Sequence, residues 1–204
     1  MNASENGEWP VELSGVTESV VTTYGPNDRW NVAALGLFAG DNDGNGGDAA
    51  ESDPVTARTW GNTRTRRNFH AHSEGYVQFT RDPVDFVEAA CSIREEETPI
   101  LESSDAWIRV SVEGIDNGED GGTRWEQWAL TPLESSVECV VPTINRGYYA
   151  VIEATVAASR LDVSGYDTAE LRERIAYFEN VVERCGGDSE RAAWDRFEEL
   201  IEWR

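Results

Sequence analysis

The residues with the most chemical potential lie between Arg58 and His72, in the run RTWGNTRTRRNFHAH. Arg58, Arg64, Arg66 and Arg67 fall within ten residues, and the chain's two histidines, His70 and His72, follow at once. Between them sit Asn62, Thr63, Thr65 and Asn68, all short hydrogen-bonding side chains. Guanidinium forks with hydroxyls, amides and free backbone N–H groups are what a phosphate or carboxylate needs. A short helix over Asn68–Ser73 would add a favourable dipole to such an anion site. The same arginines would equally serve as a network tying down acidic surface loops.

A second group is Asn31-Val32-Ala33-Ala34-Leu35-Gly36. Small residues along a strand let a flat ligand lie against the backbone, whose N–H and C=O groups can bond a heteroaromatic edge. Packing against a helix accounts for them equally well. A third is the turn Asn145-Arg146-Gly147, an amide and a guanidinium at the start of an Ala-rich helix. Glu153, which helical periodicity places among Ala, Val and Ile, is a partner for an arginine. His70-x-His72 spacing permits chelation on a strand. With no further His and with remote cysteines, a structural or phosphate-side role is the better reading, and no metal is expected. The run contains no nucleophile elbow, Walker loop, GxGxxG or HExxH.

The chain that positions these groups is acidic. Its 204 residues carry 39 Asp+Glu against 17 Lys+Arg, a formal net charge of −22. All 17 basic residues are Arg. Such a chain repels itself in dilute buffer, and molar salt, with a Debye length of about 3 Å, removes that repulsion. Acid excess without lysine therefore reads as adaptation to a high-salt cytoplasm. The hydrophobic fraction of 39% and the 8 Trp supply a packed core. Nucleic acid and anionic membranes are unsuitable partners for this charge. No apolar run approaches the roughly 18 residues that span a bilayer, and the N-terminus has no signal-peptide pattern. Cys91, Cys139 and Cys185 form no CxxC pair and read as small buried hydrophobes.

Element signals divide the chain into a polar leader (1–13), a β domain (14–135) and a helical part (136–204). Strands are expected over 15–23, 29–39, 55–60, 76–80, 106–115 and 125–130, the first two as a hairpin. Residues 40–53 and 116–122 read as acidic Gly-rich surface turns. The first lacks the flanking helices and the fixed Glu of a calcium loop. Asp82-Pro83 starts a helix with apolar residues Val84, Phe86, Val87, Ala90 and Cys91. Residues 146–161 are helical, with Tyr149, Ile152, Val156, Ala157 and Leu161 as the stripe. Asp167–Cys185 is amphipathic through Leu171, Ile175, Phe178, Val182 and Cys185, starts with a capping-box-like Asp167/Glu170 pair and ends at Gly186-Gly187. Asp188 caps a last helix carrying Trp194, Phe197, Leu200 and Ile201. The fold class is α+β: a β-barrel with a three-helix appendage.

Several stretches, in this order, resemble an archaeal family of FMN-binding split-barrel proteins, number 447 among domains of unknown function. They are TESVVTT, WNVAALGLF, NTRTRRNF followed by YVQFTRDPVDFVEAA, and INRGYYAVIEATVAASRL. The resemblance covers most of residues 14–203. It implies a six-stranded split barrel, a homodimer, and FMN near the subunit interface. Under it, Asn31, Ala33 and Gly36 lie beside the isoalloxazine ring. Thr63, Arg64, Thr65 and Asn68 hold the phosphate and ribityl chain, and Asn145 and Arg146 approach from the C-terminal part. The family motif is closer to Thr-x-Thr-aromatic-x-Asn-Leu; here Arg66 replaces the aromatic and Phe69 the Leu.

The family names no reaction. An FMN-dependent oxidoreductase of unknown substrate is the leading expectation, with His70 or His72 as the candidate proton donor. The alternatives are a deazaflavin or haem protein, haem taking one of these histidines as axial ligand, and a non-enzymatic dimer that binds a phosphorylated metabolite.

Overall fold

The computed structural model describes residues 7–40, 54–161 and 163–204. The acidic stretch 41–53 and the first part of the leader lie outside them. The chain falls into two compact units. One holds residues 18–143 with the N-terminal residues up to Glu12; the other holds Leu13–Thr17 and Ile144–Arg204. The sequence-based division falls after residue 135, the contact-based one after Thr143.

The first unit is built on β1 (Val16–Tyr24), β2 (Trp30–Phe38), β3 (Thr56–Trp60), β4 (Glu74–Thr80), β5 (Arg94–Glu96), β6 (Ser104–Asp120) and β7 (Thr123–Val137). Six strands close in the order β1-β2-β3-β7-β6-β4 and back to β1, and β5 adds to the outer side of β2. Closure removes the exposed edges that a flat sheet would present. Around the ring the register runs Val21↔Val77, Val77↔Ile108, Val112↔Leu130, Ala57↔Trp128 and Leu37↔Ala57. Val20, Val21, Leu37, Val77, Ile108, Val110 and Leu130 are almost completely buried. The expected 116–122 turn is shorter than the sequence suggests. β6 and β7 run on to a two-residue tip, Gly121-Gly122, both at positive φ (55° and 79°). Two consecutive positive φ angles match the twist of a tight hairpin, and glycine takes them without strain.

Two helices attach to the barrel. α1 (Arg64–His72) starts at Thr63, whose hydroxyl accepts the Arg66 N–H at 3.2 Å. The expected 68–73 helix therefore begins four residues earlier, because the Thr63 side chain caps the first turn and the arginines that follow are good helix formers. α2 (Pro83–Cys91) starts at Asp82, which accepts from Val84 and Asp85 N–H, with Pro83 at the first position, as expected.

The buried side of α2 differs from the expected stripe. Ala89 is buried and Phe86 packs beside it, against Val20, Val32 and Leu101. Val84 and Val87 are 67% and 57% exposed, and Cys91 is exposed. A helix this short with apolar residues all round has no single stripe to read, so packing against β1 and β2 chooses the side. Cys139 is also exposed, which corrects its reading as a buried residue; Cys185 is buried.

The second unit contains α3 (Arg146–Ala158), α4 (Thr168–Cys185) and α5 (Asp188–Leu200). Leu171, Ile175, Val182 and Cys185 of α4 are buried as the periodicity indicates. α5 is capped at Gly187, one residue before the expected Asp188, and the Glu190 carboxylate accepts the Gly187 N–H at 2.8 Å. α3 turns a partly different side inward; of its expected stripe, Ala157 is buried and Leu161 packs against the helical core. Gly147, Ala150, Ala154 and Ala157 are buried, whereas Tyr149 and Ile152 are 53% and 41% exposed. Glu153 is half exposed, with Arg174 3.7 Å away. Close approach selects the small residues. A Cβ on Gly147 would lie 2.6 Å from Gly186 Cα.

The α2–β5 junction carries a charge clamp. Asp85 accepts from Ser103 Oγ and from Arg94 Nη1, the latter at 2.5 Å. These bonds, first the Ser103 hydroxyl and then Arg94, hold its carboxyl below the ordinary carboxylate range, against the opposing effect of burial. A depressed folded-state pKa stabilises the fold above the unfolded value, and that contribution vanishes as pH falls through the folded value. Asp85→Asn should cost about 2 kcal/mol in denaturant unfolding at pH 7, with the gap to wild type narrowing below about pH 4. A gap independent of pH would contradict this account.

Candidate functional site

β2 is paired unevenly on its outer side. β5 pairs with it at Trp30, Asn31 and Val32, and β3 at Leu37 and Phe38. Neither strand pairs with the four residues between, Ala33–Gly36. Beyond Ala57, β3 leaves β2 and continues only along β7, through Trp60↔Trp125. The two strands thus part, and a pocket of about 530 Å³ opens between them. Its walls are Asn31–Leu35 of β2, Arg58–Trp60 of β3, residues 62–65 and Arg67 at the start of α1, and Ala89, Ala90, Ser92 and Ile93 at the end of α2.

One end of this pocket is an anion-type environment. The first turn of a helix has N–H groups without intrahelical acceptors. In α1, Arg66 N–H goes to the Thr63 hydroxyl and Arg67 N–H to the Thr63 carbonyl, while the helix supplies no acceptor for Arg64 and Thr65 N–H. Thr65 is buried, and its hydroxyl lies 3.4 Å from Asn31 Nδ2. Arg67 leans on Asn62 through its carbonyl and side-chain oxygens at 3.3 and 3.4 Å. Arg64 is held by Glu95 of β5 at 2.5 Å. Glu95 also accepts from Asn27.

A second pocket, about 420 Å³, adjoins the first. Asn31, Arg64 and Arg67 line both, and Asn68, His72, Asn27 and Glu95 complete the second. Asn68 is buried, with its amide donating to Thr23 Oγ1 at 3.0 Å.

The structure sorts the four clustered arginines into separate environments. Arg64 and Arg67 face the two pockets. Arg66 turns to Glu126 at 2.7 Å, and His70 meets the same carboxylate at 2.9 Å. Arg58 lies over the Trp125 ring, 4.2 Å from its centroid, and donates to Gln127. Helix geometry explains the split: positions 64 and 67 share one side, and position 66 points elsewhere. The chain's acid excess supplies Glu126 to receive it. Of the two histidines, His72 lines the second pocket and His70 faces Glu126 and Trp128.

Asn31, Ala33, Thr63, Arg64 and Thr65 thus line one pocket and Asn68 its neighbour. Gly36 lies further along β2 at the end of the unpaired stretch. Asn145 and Arg146 belong to the helical unit. There, Asn145 caps α3 by accepting from Gly147 and Tyr148 N–H, and its amide donates to the Ser14 carbonyl at 2.8 Å. Sequence reasoning missed Glu95, Glu126 and the α2 residues Ala89, Ala90, Ser92 and Ile93. Single glutamates in an acid-rich chain carry no signal, and the α2 contribution depends on how that helix is rotated. Among the described residues, no group of three or more His, Cys, Asp or Glu is arranged to hold a metal ion. No described helix is long and apolar enough to cross a membrane.

Several solved structures are similar. An FMN-bound protein from Methanosarcina mazei is 23% identical, with a TM-score of 0.47 over 93% of this chain and 96% of its own. Flavoredoxin from Methanosarcina acetivorans is 10% identical, with a TM-score of 0.40 over 64% of this chain and 73% of its own. The styrene monooxygenase flavin reductase from Pseudomonas putida S12 is 11% identical, with a TM-score of 0.39 over 61% and 83%. Two family models also match, both described as protein of unknown function (DUF447): the N-terminal domain model over residues 17–139, and its C-terminal counterpart over residues 145–199. Together these matches span most of the 204 residues, and the chain belongs to the DUF447 family.

Proposed function

We propose that the barrel unit binds FMN, with the ring in the opening between β2 and β3 and the phosphate at the start of α1. The observation that carries this is the unpaired stretch Ala33–Gly36. A strand edge inside a pocket offers N–H and C=O groups at strand spacing, the pattern that the heteroaromatic edge of a flavin complements. Ala33 and Ala34 let the ring approach, and Gly36 continues the same edge. Ala89, Ala90 and Ile93 provide an apolar surface for its face.

At the other end, Thr63, Arg64 and Thr65 combine hydroxyls, a guanidinium and orphan N–H groups, a donor set suited to a dianionic phosphate. Asn68 and Arg67 lie within reach of the chain that joins ring to phosphate. When bound, a flavin supplies hydride and one-electron chemistry, and the protein supplies orientation and electrostatics. The reading is therefore an FMN-dependent oxidoreductase; His72, the candidate proton donor, stands on the wall of the neighbouring Asn68 pocket. Purified protein should quench FMN fluorescence stoichiometrically. Arg64→Ala should weaken binding about 10- to 100-fold, while Arg172→Ala on α4 should leave it unchanged. Equal effects, or indifference to FMN, would sink the assignment.

The working form in this reading is a homodimer. Val84 and Val87 of α2 and Ile93 just after it are 67%, 57% and 76% exposed, apolar surface of the kind that a second copy covers. Light scattering should give twice the chain mass, and Val87→Glu should give one chain mass together with weaker FMN binding. A wild-type monomer that still binds FMN tightly would refute the dimer.

The acid excess supports function in a salty cytoplasm. Screening of the −22 charge should raise the thermal midpoint steadily between about 0.1 and 2 M KCl. A flat or falling midpoint would argue against salt adaptation.

A further inference from the structure

Away from the two pockets already described, the barrel unit carries an aromatic hollow of about 350 Å³, lined by Tyr24, Trp30, His72, Glu74, Gly75 and Tyr76. The rings stand nearly at right angles to their neighbours. Trp30 and Tyr76 are 5.4 Å apart at 86°, Tyr24 and Trp30 5.1 Å apart at 61°, and Tyr24 and His72 5.7 Å apart at 75°. They come from three strands and a helix end: β1, β2, β4 and α1. The Tyr24 hydroxyl donates to Asp28 at 2.9 Å, which fixes that ring.

The charged residue lining the hollow is a carboxylate. Glu74 is half exposed and forms an ion pair with Arg109 at 3.8 Å, too long for a hydrogen bond, which leaves its carboxylate oxygens open to a further donor or cation. Walls of Tyr and Trp set at 61° and 86° to one another bound the hollow in more than one plane and bring electron-rich rings around one volume. The ligand that gains most from such a box is a desolvated organic cation. A metal ion would keep its water, and an anion would be repelled by Glu74. A neutral apolar group would gain from the rings and leave the carboxylate unused.

The geometry points to this hollow as a binding site for a small N-alkylated ammonium compound, with the alkylated nitrogen against Trp30, Tyr24 and Tyr76 and its charge facing Glu74. The site is independent of the flavin reading, although His72 stands on the wall that it shares with the Asn68 pocket.

Choline chloride is the probe, titrated into the full chain by calorimetry at constant ionic strength in KCl. Its uncharged carbon isostere, 3,3-dimethylbutan-1-ol, is the control. Saturable choline binding below about 10 mM is expected, with the isostere at least about tenfold weaker. Trp30→Leu should weaken choline about 5- to 30-fold. Glu74→Gln, at a surface position with little risk to folding, should weaken choline severalfold and leave the isostere unchanged. Equal affinity for choline and the isostere would overturn the proposal and mark an apolar docking hollow. Heats no larger than those of added KCl would also overturn it, as would wild-type affinity in a folded Glu74→Gln protein.

Discussion

A strand that loses its neighbour on one side for four residues turns part of its backbone toward a pocket, and the barrel unit is organised around that constraint. β5 and β3 hold β2 at either end of Ala33–Gly36 and fix the gap in length and position. α2 supports its other flank through Val32, Ala34 and Ala89. α1 begins at the mouth because the Thr63 hydroxyl starts the helix there. Ala33, Ala34 and Gly36 are half-buried along this stretch, and Leu35 is buried.

Electrostatics in so acidic a chain works by allocation. Arg64, Arg66, Arg81 and Arg94 each sit against a carboxylate: Glu95, Glu126, Asp105 and Asp85 respectively. Exposed pairs contribute little to stability. Their larger effect is on direction, because each carboxylate fixes where a guanidinium points. Glu95 aims Arg64 along the wall between the two pockets, whereas Glu126 draws Arg66 and His70 to another side of α1. The cluster that looks like a single basic patch in sequence thereby splits: Arg64 and Arg67 line both pockets, Arg58 lines the first while lying over Trp125, and Arg66 is drawn away to Glu126.

The six barrel strands were legible because β-branched alternation and turn residues mark them, whereas the three-residue, charged β5 carries no such signal. So were the starts of α2 and α4, because Asp82-Pro83 and Asp167 use cap chemistry that depends on a few local residues. The amphipathic α4 followed its period, with Leu171, Ile175 and Val182 inward. Short or small-residue helices escaped this reading. Gly147, Ala150, Ala154 and Ala157 face inward on α3 because helix separation, a tertiary quantity, rewards lack of bulk. Within the site, Asn31, Ala33, Thr63, Arg64 and Thr65 stood out by type and spacing. Their meeting place depends on where β3 parts from β2, and the carboxylate partners depend on β5 and β7, which no local pattern connects to Arg64 or Arg66.

The close fit of Gly147 against Gly186 has a consequence for how this protein can vary. The inner side of α3 is filled to contact, so added volume there must push two helix ends apart. The outer side, with Tyr149 and Ile152 toward solvent, carries no such restriction. Substitutions can therefore accumulate on one side of the helix while the other stays fixed. Relatives of this chain would differ in what their helical units touch long before they differ in how those units are built.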